Sequence, residues 1–200
     1  MPYCFTFETL MHADLTTDET FKGITFTIEQ PLAGEYENCR FTNCTFSDIL
    51  LSDIKFIECT FDNCNLSMTK LKNTSFQTVD FIQCKLLGLH FGDCNPFLLE
   101  MNFTKCDLNL ASFFRLKLKG TKFDDCNLQE ADFSEGDFTS SSFTNCNLLD
   151  ATFDNTVLEK ADFRNAYNYT IDPVSNHIRK AKFSQSGIAG LLFRHDITIE

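Results

Sequence analysis

The residues best suited to chemistry in this chain are its cysteines, histidines and carboxylates. Cys39, Cys44, Cys59 and Cys64 form a C-x4-C-x14-C-x4-C pattern that could pass for a zinc site. His12, His90, His177 and His195 are scattered, with no serine or cysteine partner at a recognisable spacing. The chain has no G-x-S-x-G, H-E-x-x-H or G-x-x-x-x-G-K-[ST] motif. Adjacent carboxylates such as Asp124 and Asp125 could do acid–base work only inside a cleft that shifts their pKa values. Whether any of these groups meets another depends on the elements that carry them.

Length and composition narrow those elements. Two hundred residues make one domain, or at most two small ones, and 43% hydrophobic content supports a folded core. That fraction is unevenly made, with 23 Phe, four Met and no Trp. The formal net charge of −11 argues against nucleic acid or an anionic membrane as a direct partner, since both require basic surface. From Met1 to Asp18 no basic stretch leads into an apolar run, and no apolar stretch reaches about 18 residues, so neither an export signal nor a membrane span is expected. A cytoplasmic protein with ten reduced cysteines is the expectation.

The decisive feature is a repeat. Phe or Leu recurs at every fifth position from Phe41 to Phe91, pauses between Gly92 and Met101, and resumes two residues out of phase from Phe103 to Phe163. Two residues before most centres sits a small or medium side chain, including all four cysteines above, Ile49, Ile54, Ala111, Thr121, Ala131 and Ala161. The other three positions are mostly polar. Neither the 3.6 period of a helix nor the 2.0 period of a strand produces this, so each unit points two side chains inward and three outward. The pattern of residue types repeats every 20 residues, so four five-residue faces make one coil. One column reads Phe21, Phe41, Phe61, Phe81, Phe103, Phe123, Phe143, Phe163 and Phe183 once the two-residue insertion is allowed for. Coils about 4.8 Å apart would make this column roughly 38 Å tall.

The repeat disposes of the first candidates. The four cysteines fill the slot that Ala, Thr and Ile fill elsewhere, as small hydrophobes do. In-register stacking holds Cβ atoms near 4.8 Å, whereas a disulfide wants about 3.8 Å. A solenoid filled by Phe and Leu offers no cleft for catalysis. No enzyme activity, cofactor or metal is expected.

The acidic surface is the remaining candidate. Asp124, Asp125, Glu130, Asp132, Glu135, Asp137, Asp150, Asp154, Glu159 and Asp162 all fall on outward positions, against Lys122, Lys160 and Arg164 in the same stretch. Outward charge serves solubility, and it could also imitate nucleic acid. Two such chains end to end would carry twice −11 over roughly 75 Å, about half the charge density of B-DNA.

At this point the chain resembles the pentapeptide repeat family, whose motif is A(D/N)LXX. The matching stretches are Ala131-Asp132-Phe133, Ala161-Asp162-Phe163, Cys126-Asn127-Leu128 and Cys146-Asn147-Leu148. The resemblance implies an all-β, right-handed quadrilateral β-helix over residues 21–163. A solenoid end needs a cover, and residues 1–20, where Tyr3, Phe5 and Phe7 alternate like a short strand, are expected to supply that cap. The resemblance also implies a last irregular coil and a dimerisation segment over 164–200. Dimeric members of the family protect DNA gyrase or topoisomerase IV from poisons by mimicking DNA, so those enzymes are the partners the resemblance implies. A structural protein with another basic partner is the alternative. The interruption at 92–101 is shorter than the long loop of plasmid-borne quinolone-resistance members, which favours a resemblance to albicidin-type self-protection proteins.

The tail points to a homodimer. Ser184 or Ser186 can cap a short helix on which Ile188, Leu191 and Leu192 share one face. Phe193, Ile197 and Ile199 extend that surface beyond what a cap alone would use.

Overall fold

The structure is a computed structural model that describes residues 15–29, 32–195 and 197–198. The chain winds into a parallel β-helix with four faces per coil. Strands are short because each face holds only five residues. On the first face, β2 (Thr20–Lys22), β4 (Arg40–Thr42), β6 (Thr60–Asp62), β8 (Val79–Ile82), β9 (Met101–Thr104), β10 (Lys122–Asp124) and β11 (Ser142–Thr144) form one seven-stranded parallel sheet. On the fourth face, β1 (Leu15–Thr17), β3 (Glu35–Glu37), β5 (Lys55–Ile57) and β7 (Ser75–Gln77) form a second. The register is 20 residues per coil, as in Phe21↔Phe41 and Phe123↔Phe143. The second and third faces pair by single bridges at the same interval, such as Asn127↔Asn147 and Asp132↔Thr152.

Sequence explains why the backbone can turn a corner every five residues. The second residue after nearly every centre has positive φ, from Asn43 (56°) and Asn63 (52°) to Asn145 (53°) and Asp150 (57°). Asn, Asp and Gly tolerate this left-handed conformation best, and they dominate the position. The corner also bonds between coils: Asn63 Nδ2 donates to Asn43 Oδ1 at 2.7 Å, and Asn73 Nδ2 to Asp53 Oδ1 at 2.7 Å.

Inside, the nine-Phe column is present. Its successive rings lie between 4.6 and 5.4 Å apart, nearly parallel. Rings on neighbouring faces meet edge to face, as Phe103 and Phe113 do at 5.9 Å and 78°. Both arrangements suit the aromatic quadrupole, and no ring requires a polar partner. Phe41 through Phe163 are buried, while Phe183 at the open end is half-buried.

The small inward slot does more than fill space. Cys126 Sγ donates to the Phe103 carbonyl at 3.5 Å, Ser141 Oγ to Leu118 at 3.0 Å and Thr156 Oγ1 to Phe133 at 3.0 Å. Each reaches back to the centre residue of the preceding coil, so a thiol or hydroxyl gives a carbonyl inside the column a hydrogen-bond partner.

The two extra residues fall on the fourth face, between Phe91 and Phe103. A 3-10 turn over Phe91–Asp93 leads into a short loop with Phe97 and Leu98 exposed. Asn95 and Glu100 still bond to the coil below through Thr74 and Phe76 carbonyls. Phe81 and Phe103 remain in register, so the insertion is a bulge in one column.

The N-terminal boundary moves. Residues 15–20 belong to the first coil and not to a cap, because β1 pairs with β3 and Asp18 takes the left-handed corner. Thr16 occupies the centre position there, so the Phe/Leu pattern does not reach it. The cap expected from Tyr3, Phe5 and Phe7 lies outside the described residues. At the other end, bridges such as Val157↔His177 and Asp162↔Lys182 extend the helix through a last, irregular coil.

Candidate partner-binding surface

The register assigns every outward acid to one of four edges of the column. Asp124 and Asp125 lie where the first face meets the second. Glu130, Asp132 and Asp150 lie between the second and third, and Glu135, Asp137 and Asp154 between the third and fourth. Glu159 and Asp162 fall on the edge between the fourth and first. None of the ten is buried.

Three of them are neutralised locally. Glu135 pairs with Arg115 at 2.7 Å, Asp137 with Lys119 at 3.1 Å, and Asp162 with Arg164 at 2.7 Å and Lys182 at 3.7 Å. The Arg164 guanidinium holds Asp162 below its ordinary carboxylate range. Burial would raise Asp137, but bonds from the Thr139 hydroxyl and amide and from Lys119 outweigh it and lower it. The other seven acids have no ion pair among the described residues. Asp125, Glu130, Asp150 and Asp154 are exposed, which makes them the strongest contributors to the field.

Corner geometry explains part of this acidity, and the sequence reading missed it. Asp125 and Asp150 sit at left-handed positions, where Asn would serve the backbone equally well. Glu130 and Glu135 share that conformation without being favoured there, so backbone preference does not account for their charge. The signal was readable: Asn, Asp and Gly cluster two residues after each centre.

The sequence reading also missed a basic edge. Lys119, Lys122, Lys160, Arg179, Lys180 and Lys182 all line the edge between the fourth and first faces. They are spread over more than sixty positions in the sequence, and only the coil register brings them together. From Lys119 upward this edge is therefore basic, whereas its lower coils carry Asp18, Glu19, Glu37, Glu58, Asp80 and Glu100 against Arg40.

The other candidates remain apart. Cys39, Cys44, Cys59 and Cys64 are buried, as are the other five described cysteines, and none is in a disulfide. Burial pushes the Cys94 thiol above its ordinary value. Among the described residues no three Cys, His or carboxylate side chains converge as metal ligands. His90, His177 and His195 are exposed on separate parts of the column, and His12 lies outside the described residues. No helix among the described residues is long and apolar enough to cross a membrane.

The tail folds back on the last coil. Ser184 Oγ accepts from the Gly187 amide and opens a 3-10 helix over Gln185–Leu191. Gly190 is close enough to Tyr169 that an added Cβ would clash with its carbonyl oxygen, so only glycine fits. Tyr169 in turn packs at 5.8 Å on both Phe163 and Phe183 and closes the aromatic column. Leu191 packs against the core and Leu192 is half-buried, whereas Ile188, Phe193 and Ile197 are exposed at 46%, 49% and 55%. Ile199 lies outside the described residues. Arg194 reaches the nearly buried Asp172 carboxylate at 2.6 Å and fixes the end of the tail.

Comparison with known proteins agrees with this geometry. The family model described as "Pentapeptide repeat region" matches residues 35–97 and 90–163. A search of curated proteins returns no match. Among solved structures, a trypsin-treated form of QnrB1, a plasmid-mediated fluoroquinolone resistance protein, aligns over 94% of this chain and 100% of its own with a TM-score of 0.61. At 17% identity that likeness is one of fold. A second trypsin-treated QnrB1 covers 93% of this chain and 99% of its own at 20% identity with a TM-score of 0.46. HetL of Nostoc sp. strain PCC 7120 covers 84% and 86% at 14% identity with a TM-score of 0.39. The matched repeats span most of the chain, and each five-residue unit forms one face of a four-sided coil. The chain belongs to the pentapeptide repeat family.

Proposed function

We propose that this protein is a non-catalytic DNA mimic that docks its acidic edges in the basic DNA-binding saddle of DNA gyrase or topoisomerase IV and protects the enzyme from poisons. The observation that carries this reading is the rigid alignment of unpaired carboxylates on three edges of one narrow column. Asp124, Asp125, Glu130, Asp132, Asp150 and Asp154 are held by backbone bonded coil to coil, so their spacing needs no reorganisation on binding. A basic saddle built for DNA would recognise such a field at long range. The likeness in fold to QnrB1, itself a fluoroquinolone resistance protein, supports the same reading.

A two-fold dimer would extend the column. The apolar residues left uncovered by the tail, Ile188, Phe193 and Ile197, supply a self-complementary patch at one end. The test of function is gyrase supercoiling and cleavage with a fluoroquinolone present, as this protein is titrated in. Cleaved DNA should fall as the protein rises. A protein that alters neither drug-induced cleavage nor basal supercoiling overturns the proposal.

A further inference from the structure

We infer that the basic edge between the fourth and first faces binds the phosphate backbone of a nucleic-acid duplex. The inference stands apart from the acidic-side reading, since it concerns the opposite charge on a different edge. From Lys119 and Lys122 to Arg179 and Lys182 the edge rises three coils, about 14 Å. Over that length its bases are Lys119, Lys122, Lys160, Arg179, Lys180 and Lys182, and its acids are Glu159 and Asp162. All six bases are exposed. Lys119 and Lys182 are engaged by Asp137 and Asp162, whereas Lys122, Lys160, Arg179 and Lys180 have no ion pair among the described residues.

A second observation is independent of charge counting. Lys160 and Lys180 occupy the left-handed corner at φ 59° and 60°. Asn, Asp or Gly suits that conformation better, and other coils use them. Residues less suited to that conformation also stand at other corners, Met68, Lys105, Leu110 and Arg115 among them, but among the described residues only this edge has lysine at two successive corners. In the coil between the two basic groups, the same edge holds Ser140 at the corner and Ser142 at the start of β11. Lysine, arginine and serine together are the usual contacts to phosphate oxygens. The bases form a row along one edge and do not spread over a flat face, which fits a line of phosphates better than a lipid plane. The net charge of −11 conceals this edge, because screening limits each patch to about 8 Å at physiological salt.

The test uses the full chain and a fluorescein-labelled DNA duplex of mixed sequence, followed by anisotropy across a series of salt concentrations. Wild type should bind, with an affinity that falls as salt rises. The triple variant Lys160→Glu/Arg179→Glu/Lys180→Glu should bind at least about tenfold more weakly, and its salt slope should be shallower by about 2.7, for three lost phosphate contacts. Glutamate already occupies the left-handed corner at Glu130, so the variant should keep the wild-type circular dichroism spectrum and melting temperature. If the triple variant does unfold, Lys122→Glu with Lys160→Gln repeats the measurement on the same edge. A wild type that binds no duplex at low salt, or a folded triple variant with unchanged affinity and slope, overturns the inference. So does a wild type that uses this edge only to self-associate, shown by sedimentation that the triple variant alters in the absence of DNA.

Discussion

Phe123 lies fully buried between Phe103 and Phe143, its ring 5.1 and 5.0 Å from theirs. Replacing it with alanine opens a cavity that neighbouring coils cannot collapse into, because their own rings hold the spacing. Phe123→Ala should cost about 3–5 kcal/mol, read as a lower denaturation midpoint, while the exposed Thr152→Ala should change little. At Asp162 the prediction concerns pH. Its folded pKa lies below the ordinary 3.8, chiefly through Arg164, so its contribution to stability is present above that value and fades as pH falls through the depressed one. Asp162→Asn keeps an acceptor for the Arg164 amide but removes the charge. Melting temperatures of wild type and variant should therefore differ most near neutrality and converge as the pH falls below about 4. At this scale much was legible in sequence, because Phe and small residues in fixed slots leave a direct mark. The second role of the slot was hidden: Cys126 and Ser141 look like space-fillers until the carbonyls they bond to are in view.

A coil, unlike a helix or hairpin, cannot bury its inward face alone, so neighbouring coils supply the stability of each element. The 20-residue repeat made the four faces readable, and the offset of two between Phe91 and Phe103 located the bulge. The start of the first coil was not readable, because Thr16 takes the centre that Tyr36 and Phe56 fill in the coils above it. The tail was readable in part. Its apolar spacing announced a short helix, but not that Gly187 and Gly190 would seat against Tyr169. That packing divides the tail into residues that cap, such as Leu191, and residues left over, Ile188 and Phe193. Ile188→Asp/Phe193→Asp should therefore convert a dimer to monomer in sedimentation without lowering the melting temperature. A wild type that sediments as a 22.9 kDa monomer at tens of micromolar refutes the dimer.

The whole molecule is a stiff column whose bases gather on one edge of its C-terminal coils. Composition conveyed only the net value of −11, and counting charges along the chain placed the acid excess between Thr121 and Arg164. The gathering itself was beyond sequence reading, since residues as distant as Lys119 and Lys182 become neighbours on one edge only after winding. The structure also refines which acids to test. Asp137 and Asp162 are bound up with Lys119 and Arg164, so reversing them would disturb the column itself. Asp125, Asp150 and Asp154 are exposed and unpaired among the described residues. The most direct test of the proposed function is equilibrium binding of the purified protein to purified DNA gyrase across a salt series, with linear DNA as competitor. Wild type should bind, lose affinity as salt rises and be displaced by DNA. The Lys160→Glu/Arg179→Glu/Lys180→Glu variant should be displaced equally, since DNA then competes for gyrase and not for the basic edge. Asp125→Lys/Asp150→Lys/Asp154→Lys should bind roughly tenfold more weakly with a flatter salt dependence. A folded triple variant that binds as tightly as wild type at low salt, or a wild type that DNA does not displace, would contradict the account.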